Sequence, residues 1–172
     1  MKIAIIDDNQ KDREYLTKYI TTYGQTHSFL FSIDAFPSGE LFFKNSFYND
    51  YSIVFVDIYM EGIDGVEIAH RIHSSNKDCL IIFFTSSQDD MWRAIKTHAC
   101  FDYLLKTSVT EKNINDVLDS ALKRLNKYEG TLEFVAGKKN FSLNCGIRIA
   151  QGNIYRTSGR TICGIWLSPS VT

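Results

Sequence analysis

The sequence predicts an open α/β fold: a doubly wound, five-stranded parallel sheet with helices on both faces, followed by a short β-rich C-terminal extension. Apolar runs and amphipathic stretches alternate through residues 1–127 of the 172-residue chain, the pattern of repeated strand–helix units. Several apolar runs are continuous rather than alternating, as strands covered on both faces require. With 44% hydrophobic and 23% charged residues, the chain can bury one full domain plus an appendage, but not two full domains.

The expected strands are Lys2 to Ile6, Phe29 to Phe36, Ile53 to Val56, Leu80 to Phe84 and Phe101 to Leu104. Asp8-Asn9 can cap the first helix, where Leu16, Tyr19, Ile20 and Tyr23 recur at helical spacing. Ser38 begins a second, shorter helix, and a third follows Asp64-Gly65 with Ile68, Ala69 and Ile72 facing inward. The fourth is expected over Gln88 to His98. The fifth is the clearest: Thr110 caps a single apolar stripe of Ile114, Val117, Leu118, Ala121, Leu122 and Leu125. Five strands alternating with five helices give a doubly wound sheet of the flavodoxin-like kind.

Net charge is −1, but it is unevenly placed. Residues 1–133 carry 14 basic and 20 acidic side chains, for −6, and residues 134–172 carry 5 basic and no acidic ones, for +5. The front therefore has no electrostatic attraction for phosphate backbones, while the back has some. A boundary is expected near Tyr128-Glu129-Gly130, giving a domain over 1–127 and a basic tail over 128–172. Uncharged stretches such as Cys79 to Gln88 and Thr161 to Thr172 fall short of the roughly 20 apolar residues that cross a bilayer. Asp7 and Asp8 interrupt the apolar start where a secretory signal would continue, so a cytoplasmic location is expected. Cys79, Cys100, Cys145 and Cys163 lack metal or redox spacing and are expected to be small apolar fillers.

Ligands of such a sheet bind beyond the carboxyl ends of its strands. There the first strand ends in Asp7-Asp8, the third in Asp57, the fourth in Thr85-Ser86 and the fifth is followed by Lys106. Ionised carboxylates at about 4 Å repel by roughly 4 kcal/mol at an effective dielectric of about 20, so protons or a cation must relieve them. An all-oxygen donor set favours Mg²⁺ over zinc. A Mg²⁺ beside an aspartate, faced by an ammonium and a hydroxyl, can hold the equatorial oxygens of a phosphoryl group in transfer. The site therefore fits carboxylate phosphorylation.

These residues resemble the receiver domains of two-component response regulators over about residues 1–127. The resemblance rests on Ile5-Ile6-Asp7-Asp8, on Val56-Asp57-Ile58-Tyr59-Met60-Glu61-Gly62-Ile63-Asp64-Gly65, on Phe84-Thr85-Ser86 and on Asp102-Tyr103-Leu104-Leu105-Lys106. Each piece is short, but their order and placement at four strand ends are together specific. The resemblance implies that Asp57 accepts a phosphoryl group from the phosphohistidine of a sensor histidine kinase. It implies Mg²⁺ ligation by Asp57, by Asp8 directly, by Asp7 through water and by the backbone carbonyl of Tyr59. Lys106 would pair with the phosphoryl oxygens and Thr85 would swing to bond one of them. Tyr103 would then rotate into the vacated space, repacking the surface of the fourth helix, fifth strand and fifth helix, through which active receivers often form homodimers. Such a chain is a phosphorelay switch controlling transcription rather than an enzyme, with no membrane partner.

Two positions depart from the family pattern. Thr107 stands where proline commonly follows the lysine, and Ser86 where a smaller residue is common.

Other readings compete residue by residue. Asp7-Asp8 alone would cap a helix, Asp57 alone would be a turn acid, and Lys106 and Tyr103 alone would be ordinary surface and sheet-end residues. A phosphatase of the haloacid-dehalogenase type needs a second aspartate where this chain has Tyr59, and a cobalamin-binding domain needs histidine there. A flavodoxin needs a Ser/Thr-rich loop where this chain has Asp7-Asp8. The rival that stays open is a receiver-shaped interaction module that takes no phosphate. His70 and His73 are three residues apart on one helix, but nothing completes a ligand set, so they read as surface residues.

Leu132-Glu133-Phe134-Val135, Gly137-Lys138-Lys139-Asn140 and Phe141-Ser142-Leu143 read as strand, turn and strand. This is similar to the opening of a LytTR-type DNA-binding domain, which needs about 100 residues where about 40 follow here. The expectation is a truncated output domain or an altered reading frame, with no periodicity beyond Leu143. Lys138, Lys139, Arg148, Arg156 and Arg160 offer at most nonspecific DNA contacts.

Overall fold

The computed structural model describes residues 1–126, 129–136 and 139–148, with side chains through residue 125. The chain divides into two compact units, Met1–Leu125 and Asn126–Thr172. In the first, β1 (Lys2–Ile6), α1 (Gln10–His27), β2 (Ser32–Phe36), α2 (Gly39–Lys44), a 3₁₀ turn (Tyr48–Asp50), β3 (Ile53–Val56), α3 (Gly65–Ser75), β4 (Leu80–Thr85), α4 (Met91–Lys96), β5 (Cys100–Leu105) and α5 (Glu111–Asn126) follow in order. The sheet has the order β2-β1-β3-β4-β5, with every neighbouring pair parallel. This is the predicted flavodoxin-like doubly wound architecture.

Burial explains why the central strands lack an alternating pattern. Ile3, Ile5, Ile53, Phe55, Ile82 and Phe84 face α1 and α5, meeting Leu16, Ile20, Leu118 and Leu122. Ala4, Ile6, Val54, Val56, Ile81 and Phe83 face the opposite layer and meet Phe42, Ile68, Ala69, Ile72 and Ala94. Each strand therefore needs apolar side chains on both faces. Cys79 is a buried member of the second layer, as expected of a small apolar filler.

The helix starts follow local chemistry. The side chain of Asn9 accepts from the Lys11 amide, that of Ser38 from Leu41 and that of Asp64 from Glu67, each satisfying an otherwise orphaned donor. At α5, the Thr110 hydroxyl accepts from the Asn113 amide while the Asn113 side chain accepts from the Thr110 amide, a reciprocal cap.

Two elements are shorter than expected. β2 begins at Ser32 rather than Phe29, because α1 ends with Ser28 in the left-handed region (φ 59°) and Phe29 donates back to the Gly24 carbonyl. Phe29 then stacks with Tyr23 and Phe31 instead of pairing with β1. α4 covers Met91–Lys96 rather than Gln88 to His98. At its end, the Thr97 hydroxyl donates to the Ala94 carbonyl and accepts from the Ala99 amide, turning the chain toward β5.

In the second unit, β6 (Glu129–Ala136) pairs antiparallel with β7 (Lys139–Arg148), with Phe134 opposite Phe141. Both strands are therefore longer than expected: β6 extends to Glu129 and Ala136, and β7 takes in Lys139 and Asn140 from the expected turn and runs five residues past Leu143. Lys138, Arg156 and Arg160 lie outside the described residues.

Candidate functional site

The acidic site forms because parallel pairing continues one rung beyond the apolar segments. The Asp7 amide donates to the Phe36 carbonyl, the Asp57 amide to Ile6 and the Lys106 amide to Thr85, at 3.1, 2.9 and 2.9 Å. Backbone hydrogen bonds thus fix each functional residue at the carboxyl end of its strand. Strand order reverses between β1 and β3, and Asp7 and Asp57 stand at that crevice.

Gly65 lets α3 close over the crevice: its amide donates to Ile58, and a Cβ there would lie 2.0 Å from the Asp57 carbonyl oxygen. A larger residue would push α3 off the acid.

Carboxylate oxygens of Asp7, Asp8 and Asp57 lie within 4.8 Å of one another. Asp7 and Asp57 are buried, and Asp8 is exposed. Lys106 Nζ reaches in from β5, 2.7 Å from Asp7 Oδ2 and 2.7 Å from Asp57 Oδ2. Burial pushes the Asp7 carboxyl up to about 6, against the opposing pull of Lys106 and the Asn9 amide. Burial also disfavours the Lys106 ammonium, but the carboxylates of Asp57, Asp7 and Asp12 outweigh it and hold its pKa above the ordinary lysine value.

One cation is thus shared by several anions. Asp7 Oδ2 is fully buried and, although it touches Lys106 as an ion pair, no well-directed hydrogen bond from the described residues reaches it. A buried oxygen in that condition, within a three-carboxylate all-oxygen set, fits a hard divalent cation such as Mg²⁺. Among the described residues this is the one group of three or more His, Cys, Asp or Glu side chains close enough to hold an ion, so His70 and His73 stand apart from any such set.

The remaining expected residues surround this centre. The Tyr59 amide donates to Asp57 Oδ1 at 3.3 Å, while its ring is exposed. Thr85 is fully buried at the end of β4, and its hydroxyl accepts from the Ser87 amide at 3.4 Å. Tyr103, on β5, donates its hydroxyl to the Ser87 carbonyl, so Thr85 and Tyr103 are both tied to the segment joining β4 to α4. Burial, with the nearby Asp90 and Asp57, pushes the Tyr103 phenol up to about 12. Ser86 is exposed, and the described backbone contains no cis peptide, so Lys106 enters through an all-trans loop.

Several participants were not anticipated. Asp12 Oδ2 is 2.9 Å from Lys106 Nζ, and Arg13 donates to the Asp7 carbonyl at 2.6 Å. Their placement four and five residues after Asp8, on the first turn of a helix leaving the site, was the available signal. Asp90 accepts from the hydroxyls of Ser87 (2.6 Å) and Tyr59 (2.5 Å) and from Arg93 (3.0 Å), while Arg93 also reaches Asp64. These bonds hold the Asp90 carboxyl down at about 2. No spacing in the sequence announces that network, which joins the β3–α3 loop, the β4–α4 loop and α4.

A family model described as the response regulator receiver domain matches residues 3–119. The transcriptional regulatory protein HprR of Escherichia coli is 32% identical over 108 residues, covering 62% of this chain and 45% of HprR. Protein MrkE of Klebsiella pneumoniae is 27% identical over 146 residues, covering 84% of this chain and 52% of MrkE. The chain spans about half or less of the length of these curated relatives. Among solved structures, the response regulator TrrA from Thermotoga maritima in complex with Mg²⁺-BeF superposes with a TM-score of 0.60 at 28% identity, covering 70% of this chain and 97% of that one. The response regulatory domain of mrkE gives a TM-score of 0.63 at 26% identity, covering 72% and 96%. With the strand order, the acid cluster and the family match agreeing, the chain belongs to the response regulator receiver domain family of two-component systems.

Proposed function

We propose that this receiver accepts a phosphoryl group on Asp57 from the phosphohistidine of a sensor histidine kinase and so acts as a switch rather than as an enzyme. The observation that supports this most is the convergence of Asp57, Asp7 and Lys106 at 2.7 Å contacts in a buried crevice. The Asp57 carboxylate attacks phosphorus, the phosphorus–nitrogen bond breaks, and the imidazole nitrogen of the kinase leaves with the electron pair and takes a proton.

Asp7, Asp8, Asp57 and the Tyr59 carbonyl would hold Mg²⁺. When bound, the ion offsets negative charge on the acids and the phosphoryl oxygens. Lys106 contributes a second positive charge from the β5 side, fixed before the donor arrives.

Once Asp57 is phosphorylated, the Thr85 hydroxyl turns from the Ser87 amide toward a phosphoryl oxygen. The segment carrying Ser87 and the Tyr103 hydroxyl then repacks. That segment leads into α4, whose Met91, Trp92 and Ile95 are 39%, 70% and 47% exposed. This apolar face supports a homodimer through α4, β5 and α5. Control of transcription follows from relatives named as transcriptional regulators; DNA contact itself requires a complete output module of the LytTR or another type. No helix among the described residues is long and apolar enough to cross a membrane, and we place the switch in the cytoplasm, where its kinase donor is exposed.

Incubation with Mg²⁺ and acetyl phosphate, followed by intact-mass measurement, tests the proposal. A single phosphoryl adduct in the native chain and none in Asp57→Asn is expected. No adduct in the native chain would favour an interaction module that takes no phosphate.

A further inference from the structure

The Lys106 ammonium has three protons, and three carboxylates stand around it: Asp7 at 2.7 Å, Asp57 at 2.7 Å and Asp12 at 2.9 Å. Asp12 differs from the other two. It lies outside the group of carboxylates close enough to share an ion, and its side chain is 28% exposed where those of Asp7 and Asp57 are 1% and 8% exposed. An acid in the first turn of α1 complements the helix dipole wherever its side chain points. That role does not require it to reach Lys106.

Its reach is set by its neighbour. Arg13 binds the Asp7 carbonyl at 2.6 Å and ties the first turn of α1 to the end of β1, which holds Asp12 over the ammonium. One well-directed hydrogen bond of the ammonium already goes to Asp57, and the charges of Asp7 and Asp12 stand at ion-pair distance, so an incoming phosphoryl oxygen must compete for it. Asp7 and Asp57 are the partners that a divalent ion would share, whereas Asp12 has no other cation within ion-pair distance among the described residues.

Resting on the phosphoryl-accepting reading above, we propose that Asp12 is a positioning residue that occupies Lys106 in the resting state and competes with the phosphoryl group for it. Phosphoryl capture displaces Asp12 toward solvent, where its partial exposure allows rehydration. Asp12 thus lowers the occupancy of the site at a given donor concentration and makes the switch harder to set.

The test uses the full chain at saturating Mg²⁺, titrated calorimetrically with beryllofluoride, a tetrahedral phosphoryl analogue, alongside the acetyl phosphate dependence of phosphorylation. Because the displaced ion pair is partly exposed and screened, Asp12→Asn and Asp12→Ala are expected to bind beryllofluoride about three- to tenfold tighter than the native chain. KM for acetyl phosphate should fall by a similar factor with a smaller change in maximal rate. Asp12→Glu, which keeps the charge on a longer stem, should return both values toward native.

Unchanged beryllofluoride affinity in Asp12→Asn overturns the proposal. So does weaker binding, which would mean that Asp12 holds Lys106 in place for the phosphoryl group. If the native chain itself binds no beryllofluoride, the phosphoryl-accepting reading fails, and this one with it.

Discussion

Replacing Asp7 by asparagine in metal-free buffer should stabilise the protein at neutral pH, although it removes one partner of Lys106. Asp7 is 1% exposed, and burial raises its carboxyl from 3.8 to about 6 even with Lys106 beside it. Between those values the native state holds a proton that the unfolded chain has lost, so stability falls as pH rises through this window and stays lower above it. The shift corresponds to about 3 kcal/mol at pH 7.5. Asparagine has the same shape and carries no charge to desolvate. Urea unfolding in EDTA should therefore show a gain for Asp7→Asn that is near zero below pH 4, grows through pH 5 and 6, and levels off at about 3 kcal/mol above pH 7. Added Mg²⁺ should shrink the difference by stabilising the native chain more than the variant. A gain independent of pH, or a loss of stability at pH 7.5, would refute the idea that Asp7 carries a charge the apo fold disfavours.

Lys106→Met leaves two buried acids without their cation and should cost about 3–5 kcal/mol at pH 7.5 without metal, read by the same urea titration. Part of that loss should return in Mg²⁺. Gly65→Ala places a methyl 2.0 Å from the Asp57 carbonyl oxygen, so thermal unfolding should show a loss of about 2 kcal/mol or more and calorimetry a weaker Mg²⁺ affinity. Asp90, held down at about 2 by Ser87, Tyr59 and Arg93, contributes stability above pH 4 that is lost as pH falls toward 2; in acid titrations Asp90→Asn should flatten that part of the profile. Leu118→Ala, fully buried on α5, should cost about 2–5 kcal/mol by urea unfolding.

The sequence made the central sheet legible because β1, β3 and β4 are buried on both faces, which leaves uninterrupted apolar runs with polar residues just past their ends. Asp7 and Asp57 could be read for the same reason, since each directly follows such a run; Lys106 follows the short Leu104-Leu105 end of the half-buried β5, and parallel pairing brings the three ends together. Sequence composition overextends β2 because Phe29 and Phe31 are strand-like residues, yet they serve a stack on Tyr23 beyond the turn at Ser28. Sequence periodicity overextends α4 because the Asp90 and Thr97 side chains make loop and cap contacts rather than propagating the helix. Asp12 and the Asp90 network are not legible in the sequence because they act across elements, where only three-dimensional proximity joins Asp12 to Lys106 or Asp90 to Tyr59.

Borohydride trapping tests the central claim most directly. Treatment with acetyl phosphate and Mg²⁺, then reduction and peptide mass mapping, converts an aspartyl phosphate to homoserine at the position that carried it. The account predicts homoserine at position 57 alone, dependent on Mg²⁺ and absent in EDTA. Unmodified aspartate at 57, or homoserine at position 8 instead, would contradict it.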